Sequence, residues 1–446
     1  MQGTPMSSTF PGPISESLLT ELNQYVICHP QPFVLDLEQC EGMWLATVDG
    51  QRLFDWAGYY GSKLIGHNHP RLSEPAYLKN LVLAANNKVA NPDFLTPQCL
   101  DYYRMLYRLA PEIMRNPALE VYSVNSGAEA VENMMKYLIA KFNQKRAAKG
   151  AVHDTKRFVY FENAFHGRTL FALAITQTVD PVATKDFQGL TSSGNVKLHF
   201  PHVDNDRPMA ENVRICDQVL TQLEALFAIM ADQIVAVIVE PLQGAGGQRV
   251  ALPEFFRGLS QLCHRFDVYL GFDEVQTGLG ATGRLWGLDH FDLPYPPMAI
   301  AAGKKFGTGA IYMLEPLDDI GVLDSTWGGT LADMVRVVQE VRVVEEEHLI
   351  ERAAGNGEFL AVGLRRIVDR FRPLAFNVRG LGLYQGFSLD SPERRGELIK
   401  AAREEENLLL LGAGRASIRT RPSLSVTQQD IELFLEKLEA CLAYVS

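Results

Sequence analysis

Apolar runs in the middle of the chain predict the strands of a buried sheet. They are apolar throughout and do not alternate with polar positions, which is typical of strands buried on both faces of a mostly parallel sheet. A further short β-prone run, Val121–Val124, precedes a polar turn. The apolar runs are Phe158–Phe161, Ile234–Val239, Val268–Phe272, Met298–Ala302 and Ala310–Leu314.

A helical pattern follows the first of these strands. Its apolar residues recur at intervals of three and four, so they lie on one face of a helix. Strand, turn and helix repeat along the chain, which predicts an α/β core. The apolar residues of the helix are Val131, Met134, Met135, Leu138, Ile139 and Phe142.

The two ends of the chain differ from this core. Near the N-terminus, Asp49-Gly50 separates the β-prone runs Trp44–Val48 and Gln51–Phe54, which predicts a hairpin. Near the C-terminus, Thr427–Asp430 gives a capping signal for a last helix. We therefore expect a large α/β domain over residues 76–330, and a smaller α+β domain formed by residues 1–75 and 331–446.

Composition excludes several classes of protein. The chain has 446 residues, is 47% hydrophobic and carries a formal charge of −11, so it is neither disordered nor a general nucleic-acid binder. Its apolar runs are shorter than the roughly 20 residues of a membrane span, and its start lacks the features of a secretory signal. Six cysteines without a CxxC pair indicate reduced thiols, so we expect a cytoplasmic protein.

Three polar segments follow predicted strands and could carry chemistry. Asp273 ends an apolar strand, where parallel sheets bind ligands. The pair Lys304-Lys305, after Gly303, also follows a strand, and burial there would make at least one of the two amines nucleophilic. Asn125-Ser126-Gly127-Ala128 leads into a helix, whose first N–H groups favour an anion. Taken singly, each has an ordinary explanation as a cap or a surface ion pair.

Three weaker segments complete a recognisable set: Phe165-His166-Gly167-Arg168, Val239-Glu240-Pro241 and Ser325–Gly329. A lysine for an imine, a carboxylate for a ring nitrogen, a helix start for a phosphate and an aromatic face for a ring are together what pyridoxal 5′-phosphate requires.

The order and spacing of these segments resemble the class III aminotransferases of fold-type I over essentially the whole chain. Within that class the likeness is closest to the L-lysine 6-aminotransferases. The segments that carry it are Pro32–Leu37, Asn163–Arg168, Phe272–Gly278, Gly303–Lys305 and Ser325–Gly329. The resemblance implies transfer of a terminal amino group, from L-lysine to 2-oxoglutarate, giving a semialdehyde and glutamate. It also implies a homodimer with shared active sites.

The resemblance implies a role for each site residue. Lys304 would bind the cofactor aldehyde, and Asp273 its ring nitrogen. Gln276 would contact the ring hydroxyl, and Val275 and Phe165 would cover the two ring faces, with His166 beside Phe165. Gly127 and Ala128 would bind the phosphate, and Thr326 would reach it from the neighbouring subunit. Glu240 would order the surrounding network. Arg168 and Arg419 would bind substrate carboxylates, with Arg421 as the alternative to Arg419.

One segment departs from the family pattern. Where lysine and ornithine transaminases typically carry a Glu that pairs with the C-terminal arginine, this chain has Ala245. Tyr59 and Tyr60, expected at the substrate entrance, would also reshape the pocket. These differences keep open another class III ω-aminotransferase with a different amine donor or oxo-acid acceptor.

Other readings remain as alternatives. The same scaffold could support racemisation or amino-group migration, which need no oxo acid. Gly278–Gly283 fits the GxGxxG pattern of nicotinamide oxidoreductases, but the glycine and prolines after it prevent the long helix which that motif requires. His67 and His69 have no third ligand nearby, so a metal site is not expected. A non-catalytic binding protein fits least, because Lys304 and Asp273 are both present.

Overall fold

The computed structural model describes residues 10–27, 30–150, 155–177, 185–187, 194–319 and 321–446. Its strands, numbered in chain order, form three sheets. They are β1 (Trp44–Ala46), β2 (Arg52–Asp55), β3 (Glu120–Val124), β4 (Arg157–Phe161), β5 (Val196–Leu198), β6 (Ile234–Val239), β7 (Tyr269–Asp273), β8 (Ala299–Ala302), β9 (Gly309–Met313), β10 (Ala375–Leu381), β11 (Tyr384–Leu389), β12 (Leu408–Leu409), β13 (Leu411–Ala413) and β14 (Ser417–Arg419).

Helices cover and connect these sheets. In the described residues they are α1 (Pro13–Leu22), α2 (Gly58–Gly61), α3 (Pro75–Ala85), α4 (Pro97–Arg108), α5 (Gly127–Ala148), α6 (Leu170–Leu173), α7 (Met209–Met230), α8 (Pro253–Arg265), α9 (Leu331–Glu346), α10 (Leu349–Arg370), α11 (Pro392–Glu404) and α12 (Gln428–Val445). None of them is long and apolar enough to cross a membrane.

The large sheet has seven strands in the order β3-β9-β8-β7-β6-β4-β5. Five strands, from β8 to β5, run parallel, so the predicted mostly parallel α/β sheet is confirmed. Strand β9 differs, since it runs antiparallel to both of its neighbours. Its residues are nevertheless all buried, which shows that a continuous apolar run reports burial on both faces and not strand direction.

Helix α5 lies on this sheet as the apolar periodicity predicts. The side chain of Ser126 caps it by accepting from the N–H of Glu129 at 3.2 Å. Met134 and Leu138 on its inner face pack against Gly271, where an added Cβ would lie 3.2 Å from the Met134 sulfur. The helix start is therefore fixed close to the carboxyl ends of the central strands, where ligands bind in such sheets.

The two ends of the chain pack together. Strands β1 and β2 form the predicted hairpin, with Trp44 opposite Phe54, and β12 adds to β2 in parallel from the other end of the chain. Trp56 stacks on Phe434 of α12, with ring centroids 3.7 Å apart. A second sheet, β10-β11-β14-β13, lies within the C-terminal part. Domain boundaries at residues 75 and 330 stay a prediction.

The described cysteines are buried and form no disulfides, as expected for reduced thiols: Cys40, Cys99, Cys216, Cys263 and Cys441. Cys28 lies outside the described residues. The described part of the chain also contains no cluster of three metal-ligating side chains. His67 instead pairs with Asp55 at 3.2 Å.

Candidate active site

Lys304 lies just after the end of β8 and is the first residue of a single 3₁₀ turn. Its φ of +52° lies in the left-handed region, which is costly for a residue with a side chain and is commonly found at functional sites. Burial lowers the pKa of its amine to about 8, and the charges of Arg421, Lys305 and Arg419 act in the same direction. The amine is therefore far more often neutral, and so nucleophilic, than a solvated lysine.

Asp273 ends the neighbouring strand β7 and is 5% exposed. One of its carboxylate oxygens lies 2.8 Å from Nδ1 of His166, and the other accepts from the N–H of Val275 at 3.0 Å. Nε2 of His166 is buried and has no hydrogen-bond partner among the described residues. The carboxylate is thus held in one orientation by Nδ1 of His166 and the N–H of Val275, while Nε2 on the other side of the imidazole has no partner among the described residues.

The start of α5 completes this corner of the site. Its first N–H groups, at Gly127 and Ala128, have no partners within the helix and border the same cavity. A Cβ on Gly127 would come within 2.5 Å of Cγ1 of Val275. Glycine therefore allows the helix start to approach the segment that carries Asp273. The unpartnered N–H groups and the helix dipole favour a bound anion at this helix start.

Glu240 follows β6 and accepts from the N–H of Phe165 at 3.0 Å. Burial raises the pKa of its carboxyl well above the ordinary value, and the nearby charge of Asp273 raises it further. The neutral form is therefore more populated than in a solvated glutamate, and Glu240 fixes the backbone that carries Phe165.

Gln276 is held by Arg421, which the sequence predicts only as the alternative to Arg419 for binding a substrate carboxylate. Nη2 of Arg421 donates to Oε1 of Gln276 at 2.6 Å, and Arg421 is fully buried. A Cβ on Gly244 would overlap the Gln276 amide and lie 2.5 Å from Nη2 of Arg421. The glycine loop thus makes room for this pair, and Arg421 holds Gln276 at the inner cavity as well as bordering the substrate cleft.

An inner cavity of about 240 Å³ brings together almost all the predicted cofactor residues. It opens towards a cleft of about 600 Å³, which Arg419 and Tyr60 line together with Arg168 and Lys304. The predicted residues that line the inner cavity are Gly127, Ala128, Phe165, His166, Arg168, Glu240, Asp273, Val275, Gln276 and Lys304.

Two residues are placed differently from the others. Thr326 is exposed and lines neither cavity of the described chain. Of the two expected entrance tyrosines, Tyr60 lines the cleft, whereas Tyr59 turns away and packs edge-on against His67 with ring centroids 5.5 Å apart. Both tyrosines have positive φ angles, which directs consecutive side chains to different places.

Some residues at the site were not identified from the sequence. Lys305 is buried and donates to the carbonyl of Gln276 at 2.6 Å and to the hydroxyl of Tyr384 at 3.0 Å. Its amine thus joins the β7 and β11 segments, whereas Lys304 faces the cavity. Arg395 of α11 lines the outer cleft. No motif marked it, because a charged residue on a polar helix face is ordinarily solvated.

Comparisons with known proteins agree with this arrangement. Residues 27–442 match the family model Aminotransferase class-III. An L-lysine-epsilon aminotransferase of Streptomyces clavuligerus is 29% identical, over 95% of this chain and 94% of its own. An acetylornithine aminotransferase of Gloeobacter violaceus is 31% identical, over 94% and 96%. The solved structure of a lysine aminotransferase from M. tuberculosis superimposes with a TM-score of 0.89 at 29% identity, over 97% of this chain and 100% of that one.

The chain belongs to the class III aminotransferases. It is a pyridoxal-phosphate-dependent aminotransferase of fold-type I, as the sequence resemblance predicts. The residues present fit this cofactor. His166 with its unpartnered Nε2, the Asp273 carboxylate, the close approach of Gly127 and the partly neutral amine of Lys304 all lie around one cavity.

Proposed function

We propose that this aminotransferase transfers a terminal amino group to 2-oxoglutarate, and that L-lysine is the first donor to test. The observation that carries the proposal is that Lys304 and Asp273 share a cavity that opens on a cleft lined by arginines. The chain is similar, over nearly their full length, to relatives that are named as lysine aminotransferases. This similarity supports the choice of donor.

The chain's residues divide between holding the cofactor and moving a proton. When bound, pyridoxal phosphate supplies an aldehyde for covalent attachment and a ring that withdraws electrons from the substrate carbon. Lys304 would hold the aldehyde, and its amine is placed to take a proton from the substrate carbon that bears the nitrogen. Asp273, which His166 positions, would keep the ring nitrogen protonated.

The other contacts fix the position of the ring. Phe165 and Val275 would cover its two faces, and the N–H groups of Gly127 and Ala128 would bind the phosphate. Glu240 and Gln276 would contact its polar groups. Arg168 and Arg419 bind the substrate carboxylates, because a guanidinium orients a carboxylate through two parallel hydrogen bonds.

A second donor class is favoured by Ala245. This alanine lines both cavities at the position where the family pattern has a glutamate. Arg419 would therefore have no carboxylate partner from this segment while a diamino acid is bound. A different terminal amine, or a different oxo acid, is the second candidate.

The test uses the cofactor-loaded protein with L-lysine, in the presence and absence of 2-oxoglutarate. We expect glutamate to accumulate only with the oxo acid, because without it each site reacts once and stops. Continued turnover of lysine without any oxo acid would instead indicate racemisation or amino-group migration and would contradict the proposal.

Replacement of Arg168 by alanine should raise the donor KM by at least about tenfold, because a charge-assisted hydrogen bond contributes about 1.5–3 kcal/mol. Steady-state kinetics give this KM, and cofactor affinity should change little. The matched control is Arg366→Ala, at an exposed position of α10. A normal donor KM in the Arg168 variant would remove Arg168 from the substrate site.

A homodimer is part of the proposal. Large apolar side chains are exposed on α3 and just after it, among them Val82 at 57% and Phe94 at 69%. Asn91 ties this surface to the segment of Thr326 by donating to the carbonyl of Trp327 at 2.8 Å. A second copy that covers this face would bury it and bring Thr326 towards the partner's phosphate site.

Sedimentation should therefore give twice the mass of one chain. The double variant Leu83→Asp with Phe94→Asp should shift the protein to single chains and lower its activity, because two buried unpaired charges disfavour the interface. The control Ile229→Asp changes an even more exposed apolar residue at the end of α7. A wild-type protein that sediments as single chains would contradict the dimer.

A further inference from the structure

All the charged side chains that line the substrate cleft in the described part of the chain are basic. Of the described residues that line it, four are arginines and none is acidic. The arginines are Arg168, Arg395, Arg419 and Arg421. Arg419 is only 8% exposed, its Nε has no hydrogen-bond partner among the described residues, and no described carboxylate forms an ion pair with it. Such a site favours a substrate that brings several negative charges.

Arg395 forms the outer end of this cleft and is fixed there. Its Nη1 donates to the carbonyl of Gly414 at 2.9 Å, and the N–H of Gly414 in turn donates to the carbonyl of Ala245 at 2.9 Å. A Cβ on Gly412 would lie 3.3 Å from Cδ of Arg395, so the glycine allows the arginine stem to pack closely. The guanidinium is thereby held beside the loop of Ala245.

No charged partner within the described chain uses this guanidinium. The neighbouring Arg394 pairs with Glu397 at 3.2 Å, whereas Arg395 has no ion pair among the described residues. Its remaining N–H donors are available to a ligand in the cleft. A carboxylate is the group that a guanidinium binds best.

We infer that Arg395 is a specificity-determining residue that binds an extra carboxylate at the far end of the amino donor. The preferred donor thus has a terminal amine at one end. Its opposite end carries an additional acidic group and no free ammonium. A free ammonium there would face several guanidinium groups and no carboxylate. This repulsion between like charges would lower the affinity for a donor such as L-lysine. The inference rests on the proposed function, and selects the second of its two donor classes.

Three donors test this because they differ only at the α-nitrogen. L-lysine carries an ammonium there, Nα-acetyl-L-lysine a neutral amide, and Nα-succinyl-L-lysine an amide with an added carboxylate. We expect kcat/KM to rise in that order. In Arg395→Gln the preference for the succinyl over the acetyl donor should fall by about 10- to 100-fold, mainly through KM. Arg395→Lys should restore part of it, and Arg394→Gln should leave it unchanged.

A binding measurement separates recognition from catalysis. Nα-succinyl-L-norleucine has no terminal amine and cannot react, and neither can Nα-acetyl-L-norleucine. By calorimetry, the wild-type holoenzyme should bind the succinyl compound about tenfold more tightly or better, and Arg395→Gln should bind the two alike. Equal binding of both by the wild type would overturn the role of Arg395.

The outcomes also separate this inference from the proposed function. If lysine is the best of the three donors, or the succinyl preference persists in Arg395→Gln, the inference is wrong and the transfer of a terminal amino group stands. If none of the three donors passes its amino group to an oxo acid, the proposed function is wrong and the inference falls with it.

Discussion

Replacing Lys304 by alanine should lower the transamination rate by at least about 10³-fold, since the variant loses both the nucleophile and the proton acceptor of the reaction. The lysine amine has a pKa of about 8. Close to neutral pH an appreciable fraction is thus neutral and able to take a proton, whereas almost none of a solvated lysine with a pKa near 10.4 would be. Glutamate formation from a donor and 2-oxoglutarate measures the loss.

Two controls make the Lys304 experiment specific. Lys400→Ala removes an exposed lysine of α11 and should leave the rate unchanged. A small primary amine added to Lys304→Ala should restore part of the rate, because it can enter the cavity and accept the same proton. The variant should still retain the cofactor through its non-covalent contacts. A rate close to that of the wild type without added amine would show that another group removes the proton.

The sequence could predict Lys304 as a nucleophile but could not separate it from Lys305 on local grounds. Both follow the same apolar strand, and burial lowers the pKa of Lys305 to about 7. The difference arises from distant residues. Lys305 is engaged by the Tyr384 hydroxyl and by two backbone carbonyls, while Lys304 is turned into the cavity by its left-handed backbone. Only the resemblance to the family favoured Lys304.

The positions of the strands could be predicted from burial, but burial does not determine the direction in which a strand runs. Apolar runs report burial on both faces, so β6 was located residue for residue and β9 within one residue. The antiparallel direction of β9 was not predictable, because it depends on the connection and not on the side chains. The two chain ends likewise meet through β12 and β2, a pairing set by contacts more than 350 residues apart in sequence.

The substrate cleft was the least predictable part of the site. Its cofactor side consists of residues at strand ends, which short motifs reveal. Arg421 reaches the cleft from the segment that follows β14, and Arg395 reaches it from α11, and both pack against glycines in other segments. Polar residues on a helix or after a strand carry no local sign that they face a cavity. The absence of acidic lining residues could be seen only when these segments were brought together.

Substitution of Asp273 by asparagine should lower the rate by about 10²–10³-fold, the range typical of losing one preorganised electrostatic contact. The amide keeps the size of the side chain but loses the negative charge that holds a proton on the ring nitrogen of the cofactor. Cofactor content, measured after dialysis, should remain near one per chain. The matched control is Asp390→Asn, an exposed carboxylate, whose rate should not change.

His166 acts through Asp273, and a double-mutant cycle tests that order. His166→Ala alone should cost about tenfold, because it frees the carboxylate that the imidazole holds at 2.8 Å. Once Asp273→Asn has removed the charge, the same histidine change should cost little more, so the two effects should not add. Fully additive losses would mean that His166 meets the cofactor independently of Asp273. A wild-type rate in Asp273→Asn with bound cofactor would remove the carboxylate from the mechanism altogether.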